Sequence, residues 1–332
     1  MRGGAGIVRW DPCEEVPAAR MLVADGGGAE MGRARPDACW VALDGDGMVV
    51  GRCGVWWRGL PELAGGRVGY IGHWAAVEGD EVAGGLLAAA CGELRAAGCG
   101  VAVGPVDGST WRRYRFVTGT SGAAPFFMEP VNPLEYPRQF RAYGFGTYGV
   151  YHSVSDERLG EEDEKTAGAA RRLEGMGVRL RVLDAGRVEE EMREIHGVVG
   201  RAFRRAPLYQ ELPFEEFAGE YEQVRRHVGA DWVTVAEEGG RVVGFAFAVP
   251  DLLQARGGGR IDQAILKTLA VLPGREYAGL GLVLTGAARA RARAAGCRRL
   301  IHALMHEANV SRRIRAGYVE PVRRYEVYSM LL

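Results

Sequence analysis

The chain has 332 residues, 47% hydrophobic and 25% charged, an ordinary globular composition with length enough for two domains. Its 42 basic and 42 acidic residues cancel, which argues against a nucleic-acid binder. No apolar run reaches the roughly 18 residues of a membrane span, and "MRGGAGIVRWDPCEEV" at the start lacks a signal-peptide core, so a cytoplasmic protein without a membrane partner is expected.

Along the chain, the first clear signal is "WVALDGDGMVVG" from Trp40. Two alternating apolar stretches flank an acidic glycine turn, which predicts a β-hairpin. "YIGHWAAV", residues 70–77, predicts a strand. A helix is expected over 81–97, with Leu86, Ala90 and Leu94 on one face and Gly98 as its stop. After the strand "GVAVGP" comes a long insertion, 106–140, that sets aromatic residues among arginines. Loops of such length inside compact domains tend to carry function. Aromatic walls with arginine ends suit a planar or anionic small molecule, so Trp111, Arg112, Arg115, Phe126, Phe127 and Glu129 are the candidate substrate-binding residues. The same aromatics would equally serve as packing between two halves of the chain.

Residues 155–175 are charged and poor in large apolar side chains, and read as a partly helical linker. Beyond them, "WVTVAEEGGRVVG" from Trp232 predicts a second hairpin and "AILKTLAV", 264–271, a second strand. Lys267 in that strand is one of two lysines, with Lys165; every other basic residue is arginine. Its compact head suits an acyl carbonyl or an acceptor carboxylate, or it is an outward-facing strand residue. A helix is expected over 280–295, burying Val283, Ala287, Ala290 and Ala294, with Gly296 as its stop. The arginines 289, 291, 293, 298 and 299 crowd its end, where a solvated face beside the negative helix terminus accommodates them.

These signals repeat. The hairpins match, the strands ending in Ala-Val match, and "ELRAAGC" at 93–99 matches "RARAAGC" at 291–297. Matched residues stand between 192 (Trp40 to Trp232) and 198 (Glu93 to Arg291) positions apart, in the same order. Two copies of one domain explain this, over 1–154 and 176–332. The six cysteines form no metal-ligand spacing and read as reduced, and no metal is expected.

Between strand and helix of the second copy lies "AVLPGREYAGLGLVL", residues 270–284. A strand, a glycine turn and a helix N-terminus can hold an anion, because first-turn amides have no internal partner and the helix dipole is positive there. With the helix that follows, this segment resembles the acyl-CoA-binding segment of the GCN5-related N-acetyltransferase (GNAT) superfamily, in which Val271, Pro273, Gly279 and Gly281 fall in place. "GPVDGSTWRRYRF" followed by "PFFMEP" is similar to a group of bacterial tandem GNAT proteins. The resemblance implies an α/β (α+β) fold of two GNAT-like domains, each a mixed, mostly antiparallel sheet flanked by helices.

It further implies an acyl-CoA-dependent N-acyltransferase, with acetyl-CoA or another acyl-CoA as cofactor and a small-molecule amine as acceptor, in a monomer or homodimer. Leu269, Ala270 and Val271 would meet the pantetheine arm. Arg275, Tyr277, Ala278, Gly279, Leu280, Gly281 and Leu282 would surround the diphosphate, and Asn309 would lie near the cofactor. Two departures leave a non-catalytic acyl-CoA-binding or metabolite-binding module as the alternative. Glu276 occupies the position of the motif's arginine or glutamine, and "NVSRRIRAGY" lacks the usual acid tyrosine. Tyr318, Tyr325 and Tyr328 are substitute acids, Glu307 after "RLIHALM" is a candidate base with His306, His302 and Asp262 as alternatives, and Lys267 is a further candidate catalytic residue. The first copy has Asp80 and Glu81 where a phosphate turn would be, and reads as a degenerate domain.

Overall fold

Alternating apolar residues form the sheets, and glycine turns set their hairpins. A computed structural model describes residues 5–11, 35–63, 66–161, 163–256, 258–308 and 319–332. The chain divides into two compact units. Unit 1 comprises Met1–Thr120, Pro130–Val150 and Arg324–Leu332; unit 2 comprises Ser121–Glu129 and Tyr151–Arg323.

Unit 1 begins with β1 (Gly6–Trp10), β2 (Ala38–Leu43) and β3 (Val49–Trp56). The last two are the hairpin expected from Trp40, closed by Asp44, whose carboxylate accepts the Met48 amide at 2.9 Å. A short β4 (Glu62–Leu63) leads into β5 (Gly66–Ala76), then α1 (Asp80–Ala96), β6 (Val101–Gly104), β7 (Phe116–Thr120), α2 (Glu135–Tyr143) and the first half of β8 (Gly146–Asp156). The sheet runs β1-β2-β3-β5-β6-β14, where β14 (Val319–Leu331) contributes its last residues from the end of the chain. β5 and β6 pair in parallel, and β14 joins β6 antiparallel, with Tyr328 opposite Gly104. As expected, α1 buries Leu86, Ala90 and Leu94. Phe116, Phe140 and Tyr328 pack beside them. Buried Glu326 fixes β14 in place, accepting from Arg141 (2.8 Å) and Thr147 (3.0 Å).

Unit 2 contains the end of β8, α3 (Glu164–Gly175), β9 (Val178–Val182), α4 (Val188–Ala202), α5 (Phe214–Arg225), β10 (Val233–Glu238), β11 (Arg241–Pro250), α6 (Leu252–Ala255), β12 (Gln263–Val271), α7 (Leu280–Ala294) and β13 (Arg299–His306). Its sheet runs β8-β13-β12-β11-β10-β9, antiparallel except for the parallel pair β12 and β13. Helix α7 packs Leu280 and Leu284 over Gly244 of β11. Tyr221 of α5 meets Phe247, three residues further along and therefore on the other face.

The stretch expected to be a partly helical linker holds α3, whose first turn is capped by Asp163 accepting from the Thr166 amide at 2.9 Å. On α7 the buried stripe is Leu284, Ala288 and Ala292, not Val283, Ala287, Ala290 and Ala294. The correction is a rotation of one residue, because the larger Leu280 and Leu284 take the sheet-facing positions. Arg289 also departs from the solvated face expected of it. It is buried and pairs with Asp156 at 3.2 Å. No helix among the described residues is long and apolar enough to cross a membrane.

Candidate active site

The site is built by two strands that start together and part. β12 pairs with β13 from Gln263 opposite Arg299 to Leu266 opposite His302, and the ladder ends there, although β12 continues to Val271 and β13 to His306. The parting coincides with a bulge. Phe247 of β11 faces Thr268 while Ala248 faces Leu266, so Lys267 is the extra residue. From Thr268 onward, no ladder among the described residues engages the edge of β12 that faces β13. Leu269 and Val271 turn their backbone groups to that edge, whereas Ala270 between them faces β11.

The loop from Leu272 to Gly279 carries β12 into α7. Gly279 sits in the left-handed region at φ 84. The amides of Ala278, Leu280 and Leu282 donate to the carbonyls of Arg275, Tyr277 and Gly279 in successive turns. Among the described residues, no such bond engages the amides of Gly279 and Gly281. The space beside Gly281 is open, since a Cβ there would find only Leu269 Cδ2, at 3.8 Å. Tyr277 ties the loop to β10, its hydroxyl donating to Glu238 at 2.7 Å. The carboxylate of Glu276 folds back over Gly274, where an added Cβ would lie 2.3 Å from its Oε1. It therefore stays at the strand end of the loop, away from Gly281.

One basic contact to this loop went unseen in the sequence. Arg172, in the last turn of α3, donates to the carbonyl of Glu276 at 2.9 Å and to that of Ala278. With these carbonyls held toward α3, the guanidinium adds positive charge beside the loop.

No protein-family model and no curated sequence matches the chain. Solved structures do. A tandem GNAT protein from the clavulanic acid biosynthesis pathway has TM-score 0.54 at 15% identity, over 98% of this chain and 98% of its own. A GCN5-related N-acetyltransferase from Sphaerobacter thermophilus has TM-score 0.53 at 13% identity, over 98% and 95%. A GCN5-related glucosamine N-acetyltransferase region of a fungal multi-domain β-N-acetylglucosaminidase has TM-score 0.60 at 14% identity, over 99% of this chain but only 38% of that one. Identities this low speak to fold. The chain has a tandem GNAT fold.

Both GNAT-like units contain the parting strands, and in unit 1 the gap is filled. β5 and β6 pair from Val68 opposite Val101 only as far as Tyr70 opposite Val103. Beyond that point residues 106 and 107 lie along β5. The Val106 amide donates to the Ile71 carbonyl at 2.9 Å, and the His73 amide donates to Asp107 Oδ1 at 2.6 Å. Gly72 permits this approach, since a Cβ there would stand 2.3 Å from the Val106 carbonyl oxygen. His73 is the counterpart of Lys267, and the register shift between Arg52 and Gly54 marks the same bulge.

The candidate site residues distribute as follows. Lys267 donates from Nζ to the Met128 carbonyl at 3.1 Å. It thereby fastens the segment Ser121–Glu129, which also donates the Phe127 amide to buried Asp251 at 2.9 Å and pairs Glu129 with Arg323 at 2.9 Å. Phe126, Phe127 and Glu129 thus belong to unit 2, whereas Trp111, Arg112 and Arg115 belong to unit 1. Tyr325 is fully buried in the part of β14 that belongs to unit 1. Glu307 follows β13 and is exposed. Asn309 lies outside the described residues. No group of His, Cys, Asp and Glu among the described residues could hold a metal.

Beneath the gap, His302 is buried 3.8 Å from Asp156. Burial opposes ionisation of Asp156, but His302, the Arg158 amide and Arg289 outweigh it and hold the carboxyl below its usual range. His302 is thereby engaged in the core. Tyr221, on α5, brings its hydroxyl to 3.5 Å from Thr268 on β12, and burial pushes its pKa up to about 12.

Proposed function

We propose that the protein is an acyl-CoA-dependent N-acyltransferase, acetyl by default, that acts on a small-molecule amine and holds the coenzyme in unit 2. The observation that carries this reading is the parting of β12 from β13 at the strand that leads into the N-terminus of α7. The unladdered edge at Leu269 and Val271 suits the amides of a pantetheine arm, with Ala270 between them paired to β11. The Gly279 and Gly281 amides, the helix dipole and the Arg275 side chain suit a diphosphate. In this reading Ala278, Leu280 and Leu282 shape the turn, since their amides are already engaged.

When bound, acyl-CoA supplies a thioester carbonyl open to attack by an amine. The bulge amide of Lys267 is the donor for the oxygen on which charge develops. Support comes from unit 1, where the matching His73 amide donates to a carboxylate oxygen. Glu307 would take the proton that the amine loses as it displaces the coenzyme thiolate from the acyl carbon. Phe126 and Phe127 form the acceptor-side wall, and the Lys267 side chain positions it through Met128. Trp111, Arg112 and Arg115 have no role in this reading.

Calorimetric titration with CoA tests the binding half, and thiol release over a panel of amines tests the transfer half. No CoA binding at millimolar concentration would refute the reading. The second reading is a non-catalytic acyl-CoA-binding module. The burial of Tyr325 in unit 1 favours it, because that substitute acid is then unavailable. Binding without thiol release for any amine would select it. Glu307→Gln should cut kcat by about 100-fold or more with little change in CoA affinity.

A further inference from the structure

The gap between β12 and β13 has an irregularity on each of its two walls. On β12 it is the bulge at Lys267, in the ladder with β11. On β13 the ladder with β8 slips as well. His302 faces Val154 but Met305 faces His152, so β13 carries one extra residue between them. Both slips fall at the level where the inner ladder ends, at Leu266 and His302. Exposure changes at the same level. Residues 263–266 and 300–302 are buried, whereas 267–269 and 303–306 are half-buried, although each strand has a neighbour on its other side.

Leu304 carries the slip on β13. Its φ is 57, in the left-handed region. For a leucine within a strand that conformation is strained, and it persists where surrounding structure enforces it. A side chain holds it here. The Leu304 amide donates to Ser153 Oγ at 3.0 Å, and Ser153 is fully buried on β8, within unit 2. Unit 1 provides the comparison. Its β5 has the matching bulge, yet β6 pairs with β14 from Val101 to Gly104 without a slip, and residues 106 and 107 fill the gap. A bulge on one wall thus goes with a filled gap, and bulges on both walls go with an open one.

We propose that Ser153 is a positioning residue for coenzyme binding. By holding the Leu304 amide, it keeps β13 kinked away from β12 and leaves the backbone groups of Leu269 and Val271 open to a pantetheine arm. A bulge bends its strand and raises the local twist, so the kink carries residues 303–306 off the line of the inner ladder. Ser153 touches no reacting atom in this role. The proposal rests on coenzyme binding by unit 2, whereas the kink itself can be followed without coenzyme.

The test uses the full chain and three variants. Ser153→Ala removes the acceptor. Leu304→Ile keeps apolar volume but branches at Cβ, which opposes a left-handed backbone, whereas Leu304→Asn gives up apolar volume but tolerates that backbone. Packing at Leu304 would favour isoleucine; the kink favours asparagine. Calorimetric titration with CoA should show affinity lower by about tenfold or more in Ser153→Ala, the scale of one lost hydrogen bond. Leu304→Asn should bind more tightly than Leu304→Ile. Without coenzyme, amides of residues 303–306 should exchange hydrogen faster in Ser153→Ala and Leu304→Ile than in the wild type and Leu304→Asn. Wild-type affinity in a folded Ser153→Ala protein would overturn the role of Ser153 and leave coenzyme binding intact. So would Leu304→Ile binding as well as Leu304→Asn, and this pair decides should Ser153→Ala fail to fold. A wild-type protein that binds no CoA would overturn coenzyme binding by unit 2 and this role with it.

Discussion

Gly279→Ala and Gly281→Ala, two residues apart, should behave oppositely. Gly279 has φ 84, and its added Cβ would lie 2.8 Å from the Cβ of Ala169 on α3. A left-handed alanine costs about 1–2 kcal/mol, and forcing α3 aside costs about 1–3 kcal/mol more. Together these correspond to a fall in Tm of roughly 5–15 °C for a unit of this size. If the loop relaxes instead, the Gly279 and Gly281 amides turn away and CoA affinity drops by about tenfold or more. Gly281 has ordinary helical backbone, and its Cβ would meet Leu269 at 3.8 Å, a normal contact. Removing a helical glycine there stabilises by about 0.5–1 kcal/mol. Thermal melts and calorimetry with CoA on both variants measure the contrast. The reasoning fails if Gly279→Ala melts and binds like the wild type, or if Gly281→Ala alone loses CoA.

Arg289→Ala leaves Asp156 buried without its guanidinium and should cost about 3–5 kcal/mol in urea unfolding. Lys267→Met frees the Met128 carbonyl, so acceptor KM should rise several-fold while CoA affinity, measured by calorimetry, stays within about twofold. Stability should fall with acid in two stages. His73 is held neutral when folded but protonates near pH 6.5 when unfolded, so its contribution is full above that pH and is lost below it. Asp156 and Glu326 ionise below the usual carboxylate range, so their contribution is full above about pH 5 and is lost as pH falls through about 4 and below. Melts in non-coordinating buffers from about pH 2 to 8 check this, and His73→Phe should flatten the upper stage alone.

The hairpins from Trp40 and Trp232, the long helices and the glycine loop were legible because period and turn chemistry are local. The α7 stripe was misjudged by one residue because alanine fills most of that helix, and small side chains barely separate a buried face from an exposed one. Arg172 was invisible for a different reason. Its partners, the carbonyls of Glu276 and Ala278, carry no side-chain signature and lie about a hundred residues away in the chain. That α1 opens on two carboxylates could be read at Asp80 and Glu81. That Val106 and Asp107 lie along β5 could not, because a backbone pairing depends on where a turn redirects the chain. Lys267 stood out by rarity in an arginine-rich protein, yet rarity does not name a partner, and its ammonium contacts a main-chain carbonyl.

The sheet of unit 1 is closed by Arg324–Leu332. A ribosome must therefore synthesise more than 320 residues before unit 1 acquires this strand. Until then β6 has a bare hydrogen-bonding rim, a template for misassociation that chaperones would have to shield. Separate expression of residues 1–150 should consequently yield insoluble material, and supplying a peptide of residues 319–332 should rescue part of it.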